Sequence, residues 1–171
     1  MLRTLPYLSL FLVATLSQVF VFDSLSTSVY FAPLVYIVFI VLLPVETSRI
    51  MMLGAGVLTG YVMDVAMGTD GLNSIATIAV AYLRTPILKV IAGKKRAAER
   101  GVPSDLLFGE GDYIRYLAVM VFLHHVIFFA FESLSIANLF YSLLRFLVSG
   151  VASALFVWLI ARLFSINNIL K

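Results

Sequence analysis

Long apolar runs, separated by short polar stretches, dominate the hydrophobic pattern of the chain. A helix that spans a bilayer needs roughly 20 consecutive apolar residues. The apolar residues do not alternate with polar ones, which excludes the spans of a β-barrel. The pattern therefore predicts an all-α membrane protein, a six-helix bundle that forms one integral membrane domain over residues 1–171. The predicted spans cover about residues 5–22, 29–45, 50–67, 72–92, 114–132 and 137–163.

The composition agrees with this pattern. Hydrophobic residues make up 62% of the 171 residues, and the mean hydropathy is +1.06. The chain has no cysteine, which excludes a disulfide framework and any thiolate ligand or nucleophile. The first apolar run follows Arg3, as in a signal peptide, but it is longer than a usual signal-peptide core and lacks a clear cleavage site. We therefore expect residues 5–22 to remain as a helix.

The lysines and arginines predict the orientation of the bundle. On one side lie both chain ends and the connections at about 46–49 and 93–113. On the other side lie the connections at about 23–28, 68–71 and 133–136, which contain no Lys or Arg. Cytoplasmic loops are enriched in these residues, so both termini are predicted to be cytoplasmic. The basic residues on that side are Arg3, Arg49, Lys94, Lys95, Arg96, Arg100, Arg162 and Lys171.

The predicted cytoplasmic loop 93–113 is the longest connection. It opens with a basic cluster, formed by Lys94, Lys95, Arg96 and Arg100, and becomes acidic towards its end. Basic residues beside a cytoplasmic helix end attract anionic lipid, by about 1 kcal/mol each. Lipid contact and docking of a cytoplasmic protein are both open for this loop. The sequence pI of about 9.3 follows from this topology, and we expect no nucleic-acid partner.

One segment carries small and acidic residues at a regular spacing. Gly56, Gly60, Asp64 and Gly68 recur every fourth residue, and Gly71 follows in the next turn. Such spacing puts the first four on one helix face. In lipid a face of glycines allows close approach of another helix, and an acid on that face must point into protein. This face is predicted to be a packing surface around a buried carboxylate, internal to the bundle or for a partner.

Ionisable side chains inside the predicted spans suggest an intramembrane polar cluster of Asp64, His124, His125 and Arg145. An unpaired charge at that depth costs several kcal/mol, so we expect an ion pair between Asp64 and Arg145 with one histidine nearby. The cluster either fixes helix register, holds a ligand or proton, or binds a partner. Asn73, Ser74 and Thr77 are candidates to complete a pocket, while Arg84 is expected to reach the inner surface with Lys89.

Motifs for catalysis or metal binding are absent from the sequence. There is no Gly-x-Ser-x-Gly elbow and no phosphate-binding glycine loop followed by Lys. Adjacent histidines on a helix point about 100° apart, which makes His124-His125 alone a poor metal site. The small residues Ser149, Gly150, Ser153 and Ala154 are read as a packing seam of the last helix. We expect no enzyme activity, cofactor or metal.

The run from Gly56 through Gly60, Asp64 and Gly68 to Gly71, continuing to Ala81-Tyr82-Leu83, resembles the central signature of the rod shape-determining protein MreD family. The resemblance is strong over residues 54–83 and rests on hydropathy elsewhere. It implies a non-enzymatic component of the bacterial cell-elongation (peptidoglycan synthesis) complex in the cytoplasmic membrane. The implied partners are an MreC-like bitopic protein, the cell-wall glycosyltransferase and transpeptidase, and the actin-like MreB filament. It also implies a fold similar to the S components of vitamin transporters, with no catalytic residue.

A small-molecule binder, such as a vitamin-transporter S component, is the alternative function. S components usually carry an Ala-x3-Ala-like pair on the first helix to dock their energising module. The first helix here, with Ser9, Ala14 and Ser17, lacks such a pair. The polar cluster would then be the ligand pocket.

Overall fold

The computed structural model describes residues 5–25, 31–132 and 139–166. The described residues form helices and irregular segments and no strand. The described residues do not include Arg3, Lys171 or the predicted connection at 133–136. They also do not include residues 26–30 and 137–138, where predicted spans begin. In chain order the helices are α1 (Leu5–Ser17), a π-helix (Gln18–Phe22), α2 (Asp23–Leu25), α3 (Val38–Leu42), α4 (Arg49–Met67), α5 (Leu72–Ile91), α6 (Gly93–Arg96), α7 (Asp105–Phe108), α8 (Glu110–Glu132) and α9 (Leu139–Ile166).

Five of the described helical stretches are long and apolar enough to cross a membrane. Their large apolar side chains remain widely exposed, such as Val65 at 68% and Val151 at 73%. In water such a surface would be unstable, whereas in a bilayer it faces lipid. The chain is therefore a multi-pass α-helical membrane protein. The five stretches are Leu5–Phe22, Arg49–Met67, Leu72–Ile91, Glu110–Glu132 and Leu143–Phe164.

The prediction of a continuous second span over residues 29–45 is wrong for its described part. Residues 31–37 are irregular and only Val38–Leu42 is helical. Proline removes a backbone donor and disfavours the helical conformation of the residue before it. Pro33 and Pro44 flank the apolar run, and Leu43 is extended, with ψ of 150°. The helix is therefore limited to one short stretch between the prolines.

This irregular segment lies at the centre of the protein. Every residue from Leu34 to Leu42 is at most 7% exposed. Non-helical backbone at membrane depth is tolerated only where protein, rather than lipid, surrounds it. We refer to residues 31–45 as the buried segment.

Helices α4 and α5 form a tight hairpin. Ser48 caps α4, accepting a hydrogen bond from Met51 N at 3.3 Å. The helix ends at Gly68, which has the left-handed φ of 65° that favours glycine at this position. Gly71, with φ of 93°, precedes α5 and brings no capping side chain.

The connection between α5 and α8 is folded against the bundle. Helix α7 begins with a cap from Ser104 and places Phe108 in the core, 6.2 Å from the ring of Tyr116. Val45 N donates to Gly101 O at 2.8 Å, which ties the end of the buried segment to this connection. Helix α5 ends at Ile91 and helix α8 begins at Glu110, so the connection covers residues 92–109 and is three residues shorter than the predicted loop 93–113.

Candidate functional site

Asp64 holds the α4–α5 hairpin together through its carboxylate. Asn73 N and Ser74 N donate to it at 2.9 and 3.0 Å, and the hydroxyls of Ser74 and Thr69 donate as well. Residues 73 and 74 belong to the first turn of α5, whose backbone N–H groups have no partner within the helix. The carboxylate of one helix therefore caps the next, in place of the side chain that Gly71 lacks.

A chain of hydrogen bonds continues from this cap to α8. Asn73 donates through Nδ2 to Thr69 Oγ1 and accepts through Oδ1 from the Tyr36 hydroxyl at 2.8 Å. His124 Nε2 lies 2.8 Å from the same hydroxyl. Since the phenol has one proton, which goes to Asn73, the imidazole donates to Tyr36 from Nε2. This assignment leaves His124 Nδ1 as a buried acceptor with no partner among the described residues.

Gln18 supplies hydrogen bonds to the start of the buried segment. Its Nε2 donates to Pro33 O at 2.9 Å, while Oε1 accepts from Val35 N at 2.6 Å and Tyr36 N at 3.3 Å. Gln18 is 1% exposed and begins the π-helix. One side-chain amide thus replaces the backbone partners that a continuous helix would have provided.

Two serines of α9 support the same stretch of backbone. Ser149 Oγ accepts from Ala32 N at 2.9 Å, and Ser153 Oγ accepts from Leu34 N at 2.8 Å. Ser153 also lies 3.0 Å from His125 Nε2, whose other nitrogen is 2.9 Å from Val121 O. A carbonyl only accepts, so His125 donates from Nδ1 and accepts from Ser153 through Nε2. The interpretation of these serines as a packing seam is therefore incomplete, because their hydroxyls bond the buried segment.

Arg84 binds the other end of the buried segment. Its guanidinium donates to the carbonyls of Val41, Leu43 and Pro44, and its Nε donates to the Tyr116 hydroxyl at 2.9 Å. Tyr116 in turn donates to Val41 O at 2.9 Å. The expectation that Arg84 reaches the inner surface is wrong, since the residue is 1% exposed. A cation at the last carbonyls of α3 also complements the helix dipole.

The predicted ion pair between Asp64 and Arg145 is also wrong. Arg145 Nη1 instead lies 2.8 Å from Glu132 Oε1, and its guanidinium carbon lies 5.6 Å from the centre of the Phe129 ring. A carboxylate inside a span does need a partner, but side-chain cations are not the only groups that can provide one. Backbone N–H groups at a helix start satisfy a carboxylate equally well.

Charge exchange tests the pair that the structure does contain. We expect Arg145→Glu and Glu132→Arg each to lower stability in detergent by several kcal/mol, because each puts two like charges together within the spans, where an unpaired charge is costly. The double exchange should recover most of that loss. Recovery of an Arg145→Asp variant by Asp64→Arg would instead support the discarded pair.

The glycines of the motif have two different roles. Gly56 and Gly60 face α5, where a Cβ on Gly56 would lie 3.0 Å from Ala81 Cβ and one on Gly60 would lie 2.9 Å from Ser74 N. Of the two possibilities, an internal seam or a partner surface, these glycines form the internal seam. Gly68 does not share that face. It ends α4, and a Cβ there would meet no atom within 4 Å.

The basic cluster of the connection is only partly free. Arg96 donates to Phe108 O and lies 3.6 Å from Asp112. Lys94, Lys95 and Arg100 are exposed. Arg96 is exposed as well, but its charge is shared with Asp112, so the charge available to lipid or to another protein comes mainly from the other three residues.

The arrangement is suited to holding an irregular backbone rather than to reacting with a substrate. The oxygens of Asp64 accept four hydrogen bonds from the hairpin itself. Asp64 and His124 lie at opposite ends of one hydrogen-bond chain, His125 bonds Ser153, and Arg145 is separate, so the predicted four-residue cluster is divided. Among the described residues no group of three His, Cys, Asp or Glu side chains is placed to hold a metal ion.

Reasoning from the sequence missed Gln18, Tyr36 and Tyr116, which complete the network. Gln18 could have been found from the sequence, because a lone glutamine inside a span must hydrogen-bond to other groups of the protein rather than face lipid. Tyrosines near span ends are common at membrane interfaces, so nothing in the sequence distinguished these two buried ones.

No protein-family model, curated protein or solved structure matches the chain.

Proposed function

We propose that this chain is a non-enzymatic scaffold of the bacterial cell-elongation complex, located in the cytoplasmic membrane and binding an MreC-like bitopic protein. The observation that carries the proposal is the α4–α5 hairpin. Its motif residues Gly56, Gly60, Asp64, Gly68 and Gly71, which resemble the MreD signature, all act within the hairpin as seam, cap or turn. A motif that serves rigidity rather than chemistry fits a scaffold.

The outward surface supports binding between membrane helices. Only 17% of the span in α9 is buried, and its exposed side chains are apolar apart from Arg162 near its end. Helices associate in lipid through side-chain packing and small residues rather than through the hydrophobic effect. We propose that the apolar faces of the bundle contact the membrane segments of the bitopic partner and the cell-wall synthases, and that the cytoplasmic connection lies on the MreB side.

The proposed topology has six crossings with both termini cytoplasmic. The buried segment contacts Asn73 through Tyr36 and Arg84 through Val41. These two residues are 11 positions apart on α5, about 16 Å along a helix. The segment thus runs beside α5 over half a bilayer, which supports its assignment as the second crossing. The lysines and arginines of the connections 46–49 and 93–109 support the orientation.

Single-cysteine labelling tests the orientation, and the chain has no native cysteine to remove. Asp70 and Lys95 are both exposed and lie at opposite ends of α5. We expect a membrane-impermeant maleimide to label Asp70→Cys in intact spheroplasts and Lys95→Cys only after permeabilisation. The reverse pattern would contradict the proposed orientation, and labelling of both in intact cells would contradict the separation of the two loops.

The function itself is tested by purifying the tagged chain from its native membrane in mild detergent and identifying co-purified proteins. We expect an MreC-like protein together with a cell-wall glycosyltransferase and transpeptidase. Recovery with an ATPase module, or alone with a bound small molecule, would overturn the scaffold proposal and favour a vitamin-transporter S component. A Gly54→Ala variant is a suitable control, since a Cβ there meets no atom within 4 Å.

A further inference from the structure

The last turns of α5 have an exposed face that changes from apolar to basic. Tyr82, Pro86 and Val90 follow one another at intervals of four residues, and Lys89 lies three after Pro86, so they share one side of the helix. All are exposed, Tyr82 at 64% and Val90 at 84%. Because α5 is a spanning helix that ends at Ile91, the apolar side chains face lipid and Lys89 lies close to the headgroups.

Two further lysines continue this basic region beyond the helix. Lys94 and Lys95 belong to α6, which follows α5 after Ala92, and both are exposed. None of Lys89, Lys94 and Lys95 forms an ion pair with another residue that the structure describes. Their charge is therefore available to an anion from outside the protein. We refer to these three lysines as the basic end of α5.

Three arginines of the same region already have partners. Arg96, Arg115 and Arg162 lie 3.6, 3.4 and 3.9 Å from a carboxylate of α8. An external anion would compete with these carboxylates and be repelled by them. The fold thus separates free cations at the end of α5 from paired cations beside α8, a distinction that net charge does not make.

Arg100 is intermediate between these two groups. It is exposed, but Glu99 precedes it, and Glu46 accepts a hydrogen bond from the neighbouring Gly101 N at 3.0 Å. Carboxylates near a guanidinium weaken its attraction for another anion. We therefore expect a smaller contribution from Arg100 than from the lysines.

The turn that carries the two lysines of α6 is folded before any anion binds. Gly93 O accepts a hydrogen bond from Ala97 N at 3.0 Å, and Arg96 donates to Phe108 O. A turn that is already ordered loses less conformational entropy on binding.

We propose that the basic end of α5 binds the phosphate of an anionic phospholipid, with the acyl chains along Tyr82, Pro86 and Val90. A lysine ammonium is a compact charge with three N–H donors, which suits phosphate. The position favours a lipid over an acidic protein, because the apolar face that leads to Lys89 is itself covered by lipid. In the proposed orientation the lipid belongs to the cytoplasmic leaflet. The site is independent of the scaffold function, since it needs no protein partner.

Native mass spectrometry of the detergent-purified chain with dioctanoyl lipids tests the proposal. A lysine near an anionic surface contributes about fivefold in affinity, so we expect phosphatidylglycerol to be retained at about tenfold lower concentration than zwitterionic phosphatidylcholine. Equal retention of the two lipids would overturn the proposal. Tighter retention of a pentaglutamate peptide than of phosphatidylglycerol would also overturn it, because the surface would then fit an acidic protein.

Two double variants that remove the same charge distinguish the site from a general effect of net charge. In Lys94→Gln/Lys95→Gln the preference for phosphatidylglycerol should fall to about twofold, with an unchanged melting temperature, because both side chains are exposed. Arg115→Gln/Arg162→Gln is the matched control and should keep the preference, since both arginines are paired with α8. Equal losses in the two variants, or no loss in the lysine variant, would contradict the site.

Discussion

Replacing Gly60 with alanine is expected to lower the stability of the protein in detergent by about 2 kcal/mol, within the range found for overpacked interiors. The added Cβ would lie 2.9 Å from Ser74 N and 3.0 Å from Asn73 O. These are backbone atoms of the first turn of α5, which cannot turn aside as a side chain does. Helices α4 and α5 must therefore separate, and the hydrogen bonds to Asp64 lengthen with them. Thermal unfolding of the purified variant measures the loss.

Alanine substitutions at two other glycines of α4 show how the loss of stability depends on the distance to α5. Gly54→Ala should leave stability unchanged or raise it by up to about 1 kcal/mol through helix propensity, since a Cβ there meets no atom within 4 Å. Gly56→Ala should fall between the two, because its Cβ would lie 3.0 Å from Ala81 Cβ and 3.3 Å from backbone atoms. Equal losses for Gly54→Ala and Gly60→Ala would contradict the internal seam.

Removing the Asp64 carboxylate is the second large effect that we expect. In Asp64→Ala the N–H groups of Asn73 and Ser74 lose their acceptor inside a spanning region. Each unsatisfied group costs about 1–3 kcal/mol, so a loss of about 2–6 kcal/mol is expected for the pair. Asp64→Asn keeps one acceptor oxygen and should lose less. Denaturant or thermal unfolding in detergent provides the measurement.

Asp70, in the connection between α4 and α5, is the matched control. It is exposed, so Asp70→Asn should change stability by no more than about 0.5 kcal/mol. A double variant with Arg145 separates the cap from the discarded ion pair. The losses of Asp64→Ala and Arg145→Ala should add, since the two residues share no partner within the described parts of the chain. A double loss much smaller than the sum would show that the two side chains interact.

The parts of this fold that follow from local pattern could be predicted from the sequence. Five spanning helices follow from runs of apolar residues, and the α4–α5 seam follows from glycines four residues apart. The inward position of Asp64 also follows, because an acid in a span cannot face lipid. These inferences need only the helical period and the cost of burial.

The rest depends on which residues meet across the bundle. Hydropathy cannot distinguish a spanning helix from an irregular apolar segment that is enclosed by protein. The apolar composition of residues 31–45 fits both structures. Their true state depends on Gln18, Ser153 and Arg84, which lie on three other helices. The partner of Asp64 was predicted wrongly for the same reason. Every residue type except proline has a backbone N–H group, so the side chains do not show which N–H groups at a helix start will bind the carboxylate.

Amide hydrogen exchange of the buried segment, measured by NMR in detergent micelles, tests most directly that polar side chains from other helices hold this non-helical backbone. We predict slow exchange at Leu34, Val35 and Tyr36 in the unsubstituted chain. Gln18→Met should speed exchange at Val35 and Tyr36, whose N–H groups bond Gln18, while Leu34 stays protected by Ser153. If Gln18→Met leaves all three amides equally protected, they bond within a continuous helix and the account is contradicted.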